Sequence, residues 1–167
     1  LGVPQNYKTA VKWYTLAAEQ GNADAQKNLS VLYGKGLGVP QDYKTAVKWY
    51  TLAAEQGYAN GQTSLGLMYA NGGGVPKNSK TAVKWYTLAA EQGHADAQTN
   101  LSLFYLKGKG VPQDYIYAHM WGNLSASNGE ENGGKVRDLA VKKMTPSQIE
   151  KAQDLARECV AKNYKGC

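Results

Sequence analysis

Apolar residues recur at helical spacing along most of the chain. Tyr7, Ala10, Val11, Trp13, Tyr14, Ala17 and Ala18 fall on one broad arc at ~100° per residue, with Lys8, Lys12, Thr15 and Glu19 sharing the opposite side. A second amphipathic stretch follows, with Ala25, Leu29, Leu32 and Tyr33 on its apolar side. An arc as wide as the first needs neighbours on both flanks. Sliding the chain against itself shows where they come from: residues 3–38, 39–74 and 75–110 align without a gap, and KTAVKWYTLAAEQG recurs unchanged from Lys8, Lys44 and Lys80. A fixed period of this length with helical patterning predicts stacked helix pairs, because one pair alone cannot bury its own apolar face.

Each repeat carries its own stop and start signals. Pro4, Pro40, Pro76 and Pro112 are followed two residues later by Asn6, Asp42, Asn78 and Asp114, residue types that accept hydrogen bonds from the free amides of a first helical turn. Gly21, Gly57, Gly93 and Gly129 supply the left-handed residue that ends the first helix, and Asp24 and Asp96 then enter the first turn of the second. Glycine pairs such as Gly36 and Gly38, Gly72 and Gly74, and Gly108 and Gly110 reverse the chain before the next unit. The spacing predicts helices over 6–20, 22–34, 42–56, 58–70, 78–92, 94–106, 114–128, 130–143 and 146–162, with no strand.

The fourth unit, 111–144, is divergent. It keeps Trp121 and Gly129 in register but loses the Ala-Ala pair, and Gly133 and Gly134 are expected to weaken its second helix by ~1 kcal/mol each. Residues 145–167 form the end of the array. Thr145 is the expected cap, Pro146 the first helical residue and Gln148 the third, a capping-box spacing. Ile149, Ala152, Leu155, Ala156, Cys159 and Val160 make the single apolar stripe that a capping helix needs. The fold class is therefore all-α, one α/α solenoid of helix-turn-helix repeats over 1–167 with a C-terminal capping helix. Leu1 and Gly2 align with Leu37 and Gly38, the tail of a repeat, which implies a start inside a longer array.

Charge and chemistry change this picture little. The net charge is +6, yet 17 of the 19 basic residues are Lys and only Arg137 and Arg157 are Arg. Phosphate and base recognition leans on the planar Arg fork, so specific nucleic-acid binding is not expected. No run of ~18 apolar residues suggests a membrane span, and LGVPQNYK is unlike the start of a signal peptide, which points to a mature or excised fragment. His94 and His119 have no ligand set around them; His94 reads as a surface residue and His119 as a packed one, with no metal and no cofactor implied. Neither G-x-S-x-G nor a P-loop occurs, so the sequence predicts no enzyme. Lys107-Gly108-Lys109-Gly110 resembles an anion loop but serves the turn found at every repeat boundary. Trp13, Trp49, Trp85 and Trp121 could form an aromatic track; a large residue at one point of each amphipathic helix reads better as packing between repeats.

The order A-x-x-W-Y-x-x-A-A-E-Q-G, then A-x-A-Q-x-x-L, a Tyr and G-x-G-V-P, resembles the Sel-1-like repeat, a relative of the tetratricopeptide repeat, over residues 3–110. The resemblance implies a bacterial adaptor or scaffold whose first helices line a concave groove. The residues on that face are Lys8, Lys12, Thr15, Glu19, Lys44, Lys48, Thr51, Glu55, Lys80, Lys84, Thr87 and Glu91. Lys at helix starts and Glu at helix ends run against the helix dipole, so local energetics does not explain them. They suit another protein or an extended, acidic peptide, though a solvated face with no ligand has the same pattern. The alternative partner is a polyanion or polysaccharide. A cysteine-rich branch of the family resembles penicillin-binding or β-lactam-hydrolysing proteins, but it carries a disulfide in each repeat and residues 1–158 here contain no Cys. Cys159 and Cys167 can pair if the tail folds back, which, with the resemblance, implies a periplasmic or secreted setting; the other reading is a buried Cys159 and a free Cys167. The oligomeric state is left open.

Overall fold

The structure is a computed structural model that describes residues 6–167; Leu1 and Gly2, expected to be the tail of a repeat, and Pro4 at the start of the first lie outside the described residues. Among the described residues there are nine helices and no strand: α1 (Tyr7–Glu19), α2 (Ala23–Lys35), α3 (Tyr43–Glu55), α4 (Ala59–Asn71), α5 (Ser79–Ala90), α6 (Ala95–Lys107), α7 (Tyr115–Ser127), α8 (Glu131–Val141) and α9 (Pro146–Ala161). Every helix lies within two residues of its expected ends. The chain divides into two compact units, Leu1–Lys77 with α1 to α4 and Asn78–Cys167 with α5 to α9.

In the first unit, local chemistry sets the helix ends. Asn6 Oδ1 accepts from Thr9 N, and Asp42 Oδ1 accepts from Lys44 N and Thr45 N. The turn between α1 and α2 closes through Gly21 N donating to Ala18 O and Asn22 N to Ala17 O, with Gly21 at φ 87°. Asn22 then caps α2 by accepting from Ala25 N at 2.8 Å. Packing follows the predicted arcs, with α2 against α1 and α3, and α4 against α3. Ala18, Ala25 and Leu29 form a buried cluster surrounded by Val11, Tyr14, Ala17, Tyr33 and Trp49. Trp49 thus packs against the preceding helix pair, as expected. Trp13 does not: it is 68% exposed, because among the described residues no helix pair precedes α1 to receive it.

A buried polar ladder joins successive pairs in this unit. Gln26 Nε2 donates to Ala18 O, satisfying a helix-end carbonyl, and Gln62 Nε2 does the same for Ala54 O. Gln56 Nε2 in turn donates to Gln26 Oε1 at 2.8 Å.

The second unit repeats this logic. Asn78 and Asp114 cap α5 and α7, Gln98 Nε2 donates to Ala90 O, and Asn128 Nδ2 donates to Gln98 Oε1. α6 packs on α5, α7 and α8, and the core holds Tyr86, Leu101, Phe104, Met120 and Trp121. His94 is not a plain surface residue: it is half-buried and caps α6, its Nδ1 accepting from Ala97 N. His119 is buried as expected. α8 also corrects the reading that its glycines only weaken it. Gly133 stands where Ala25, Gly61 and Ala97 stand in the other repeats, and a Cβ there would lie 2.4 Å from Ser125 Cβ, so the close crossing of α7 and α8 requires it. Thr145 and Gln148 form the reciprocal capping box at the start of α9. The buried stripe of α9 is Ala152, Ala156 and Cys159, while Val160 is exposed, and its principal neighbour is α7.

Candidate interaction surface on the first helices

The face opposite the apolar arc of each first helix is the candidate surface. In the first unit Lys8, Lys12 and Glu19 on α1 and Lys44, Lys48 and Glu55 on α3 are all exposed; in the second, Lys80 and Lys84 on α5 are exposed and Glu91 is half-buried. None of these lysines forms an ion pair among the described residues. Lys44 adds a minor electrostatic share to lowering the Asp42 pKa, which the Thr45 hydroxyl and amide dominate. The threonines differ from the lysines. Thr15 Oγ1 donates to Val11 O at 2.8 Å and Thr51 Oγ1 to Val47 O at 2.9 Å, so their hydroxyl protons are already used within the helix. Thr87 is half-buried.

Three leucines on these helices went unassigned in the sequence pattern. Leu16, Leu52 and Leu88 sit one turn beyond Lys12, Lys48 and Lys84 and are 51%, 44% and 45% exposed. Their recurrence within an unchanged segment was the available signal. They belong to neither the apolar arc nor the charged side, and periodicity does not say which edge of an arc its neighbours cover.

On α7 the same positions are remodelled. Ile116, Met120, Asn123, Leu124 and Ser127 replace the Lys, Lys, Thr, Leu and Glu of the other first helices. α9 packs against α7; Asn123, Leu124 and Ser127 line a cleft together with Gln153, Ala156, Arg157 and Val160 of α9. Leu124 is only 2% exposed and Met120 is buried. The face that carries charge elsewhere is uncharged on α7, where a helix packs against it.

The end of α9 is clamped. Cys159 and Cys167 are joined by a disulfide, and the tail runs back so that the Tyr164 hydroxyl donates to Asn128 Oδ1 and Gly166 N donates to Glu91 Oε1. The Tyr164 ring lies over Gly93, where a Cβ would approach it to 3.2 Å. Asn163 and Tyr164 both have positive φ, a conformation that persists where surrounding contacts over-determine it.

Among the described residues no group of three or more His, Cys, Asp and Glu side chains is arranged to hold a metal ion, and no helix is long and apolar enough to cross a membrane. His119 Nδ1 and the Tyr86 hydroxyl are buried without a hydrogen-bond partner. They lie in different first helices of the second unit and belong to the core, not to the exposed face.

Stacked helix pairs with a recurring 36-residue register and a shared polar ladder define an α/α repeat solenoid. The Sel1 repeat family model matches residues 1–22, 23–58, 59–94 and 95–130, and the chain belongs to the Sel1 repeat family. Each full match pairs a second helix with the following first helix, the same period in a different phase. No curated protein matches the sequence. Among solved structures the chain is similar to a Sel1 repeat protein from Oxalobacter formigenes, with 37% identity over 75% of this chain and 94% of that one and a TM-score of 0.68. It is also similar to c5321, a protective antigen of uropathogenic Escherichia coli displaying an SLR fold, with 30% identity over 92% of this chain and a TM-score of 0.62; the match spans 42% of that longer chain. In fold it is similar to Helicobacter pylori cysteine rich protein B, with 24% identity, 81% and 97% coverage and a TM-score of 0.62. Sel1 repeats are typically protein-interaction scaffolds.

Proposed function

We propose that this chain is a non-catalytic scaffold that binds another protein through the exposed faces of its first helices, recognising acidic groups on the partner. The observation that carries this reading is the set of exposed lysines without ion pairs at the same two positions of α1, α3 and α5. Lys8, Lys44 and Lys80, each the second residue of its helix, oppose the dipole by ~0.3 to 1 kcal/mol when exposed, so helix stability does not account for their repetition. Lys carries its charge on a flexible stem and suits a repetitive acidic ligand better than a planar, bidentate one. The Cys159–Cys167 disulfide supports an oxidising setting, periplasmic or secreted.

The test is a variant with Lys12→Gln, Lys48→Gln and Lys84→Gln together. Its circular dichroism and melting should match the parent, since all three side chains are exposed. Capture of the native partner should weaken and lose its salt dependence. Unchanged affinity would leave these lysines solvated side chains with no part in binding. Binding of heparin in preference to any protein, lost in the same variant, would instead favour the polyanion reading.

A further inference from the structure

α9 is itself a helix docked on a first-helix face, and it shows what that face accepts. It lays the small residues Ala152, Ala156 and Cys159 toward α7, where Leu124 is buried, and Arg157 shares a cleft with Ser127. The tail bond from Tyr164 to Asn128, the residue capping the end of α7, places the C-terminal end of α9 at the C-terminal end of α7. In α1 and α3 the leucine at the position of Leu124 is kept but exposed, and lysines stand where α7 has Ile116 and Met120. A single exposed leucine needs no explanation. The same leucine at the same register of three helices, buried in the fourth only where a helix lies over it, does.

We propose that the first-helix face of the first unit, with Leu16 and Lys12 on α1 and Leu52 and Lys48 on α3, docks an amphipathic α-helix of a partner protein. That helix carries small apolar residues at the spacing of Ala152, Ala156 and Cys159, acidic residues in its first half opposite the lysines, and a basic residue in its second half opposite Glu19 or Glu55. The inference rests on the reading that this face binds protein, and it names the form of the ligand. A helix is favoured over an extended strand because a strand brings unpaired backbone groups that must find partners on the surface. A helix satisfies its own backbone and asks only for an apolar floor and complementary charge, which is how α9 already sits on α7 with Leu124 beneath it.

The probe is a peptide of residues 145–161 carrying Lys151→Glu and Cys159→Ala, titrated into the intact protein with methyl-labelled leucine. The Leu16 and Leu52 methyl resonances should shift and the peptide should gain helicity on binding. A protein with Leu16→Asp and Leu52→Asp should bind about tenfold or more weakly, and a peptide with Ala156→Glu should not bind. Shifts confined to Leu124, which would report exchange with α9, overturn the proposal, as do an absence of shifts at millimolar peptide, equal binding by the leucine variant, or a bound peptide that stays non-helical. If an unstructured acidic peptide binds and loses affinity on the Lys12, Lys48 and Lys84 substitutions while the helical probe does not bind, the scaffold reading stands and this one falls. If the helical probe binds the lysine variant undiminished, the leucine floor stands and the acidic-partner reading falls.

Discussion

Gln26 accepts a 2.8 Å hydrogen bond from the side chain of Gln56 while its own amide donates to the carbonyl of Ala18, so one buried side chain closes the end of α1 and ties it to the next pair. Gln98 plays the same part between Ala90 and Asn128. Replacing Gln26 by Ala leaves a helix-end carbonyl and the Gln56 amide without this partner, at a cost of ~1 to 3 kcal/mol. Urea unfolding should show that loss for Gln26→Ala. Exposed Gln20→Ala should change stability by less than ~0.5 kcal/mol.

Two adjacent glycines of α8 should respond in opposite directions. A Cβ on Gly133 would meet Ser125 Cβ at 2.4 Å, so Gly133→Ala forces α7 and α8 apart and should destabilise by ~1 to 3 kcal/mol. On Gly134 a Cβ finds Ala126 Cβ at 3.6 Å, an ordinary contact, and Gly134→Ala should stabilise by up to ~1 kcal/mol through helix propensity. Thermal melts of the two variants check the contrast.

Stability should fall on mild acidification. Burial, with Arg137 assisting and Asp138 opposing, holds the His119 pKa below 6.5, and burial does the same for His94 against the opposing charge of Asp96. An imidazole depressed in the folded state is protonated first in the unfolded chain, so its contribution is fully present above 6.5 and is lost as pH falls toward the folded value. Comparing urea midpoints at pH 7.5 and about pH 5 should show the loss. In His119→Val, which restores the residue of the other repeats and removes an unpaired Nδ1, the difference should shrink.

Reduction should free the tail before it melts the helices. Closing the short Cys159–Cys167 loop is worth ~2 to 3 kcal/mol in the chain-entropy account. Without the bond, the left-handed backbone of Asn163 and Tyr164 is held by the amide bonds of Asn163 to Val160 O and of Tyr164 to Cys159 O and by the contacts of Tyr164 and Gly166 with Asn128 and Glu91. Hydrogen exchange after reduction should rise first at residues 162–167. Thiol titration of denatured, unreduced protein should find no free thiol; two would remove the basis of the clamp.

The sequence by itself determined what is local or periodic. Asn6, Asp42, Asn78 and Asp114 cap their helices, Gly21 and its counterparts end them, and the unchanged Lys8–Gly21 segment forms the same helix and turn in each copy, because a cap or a turn involves neighbours a few residues away. Tertiary structure decided which edge of each amphipathic arc is covered. Trp13 and Trp121 occupy one register, yet they are 68% and 1% exposed, since burial depends on the neighbour present and not on the residue. Leu16 and Leu124 differ for the same reason. The role of Gly133 was invisible to propensity because the atom it makes room for, Ser125 Cβ, belongs to another helix. The side of α7 that α9 covers could not be read from the stripe of α9 alone: an apolar stripe specifies that a helix docks, while the face that receives it is set by which surface the rest of the fold leaves without charge.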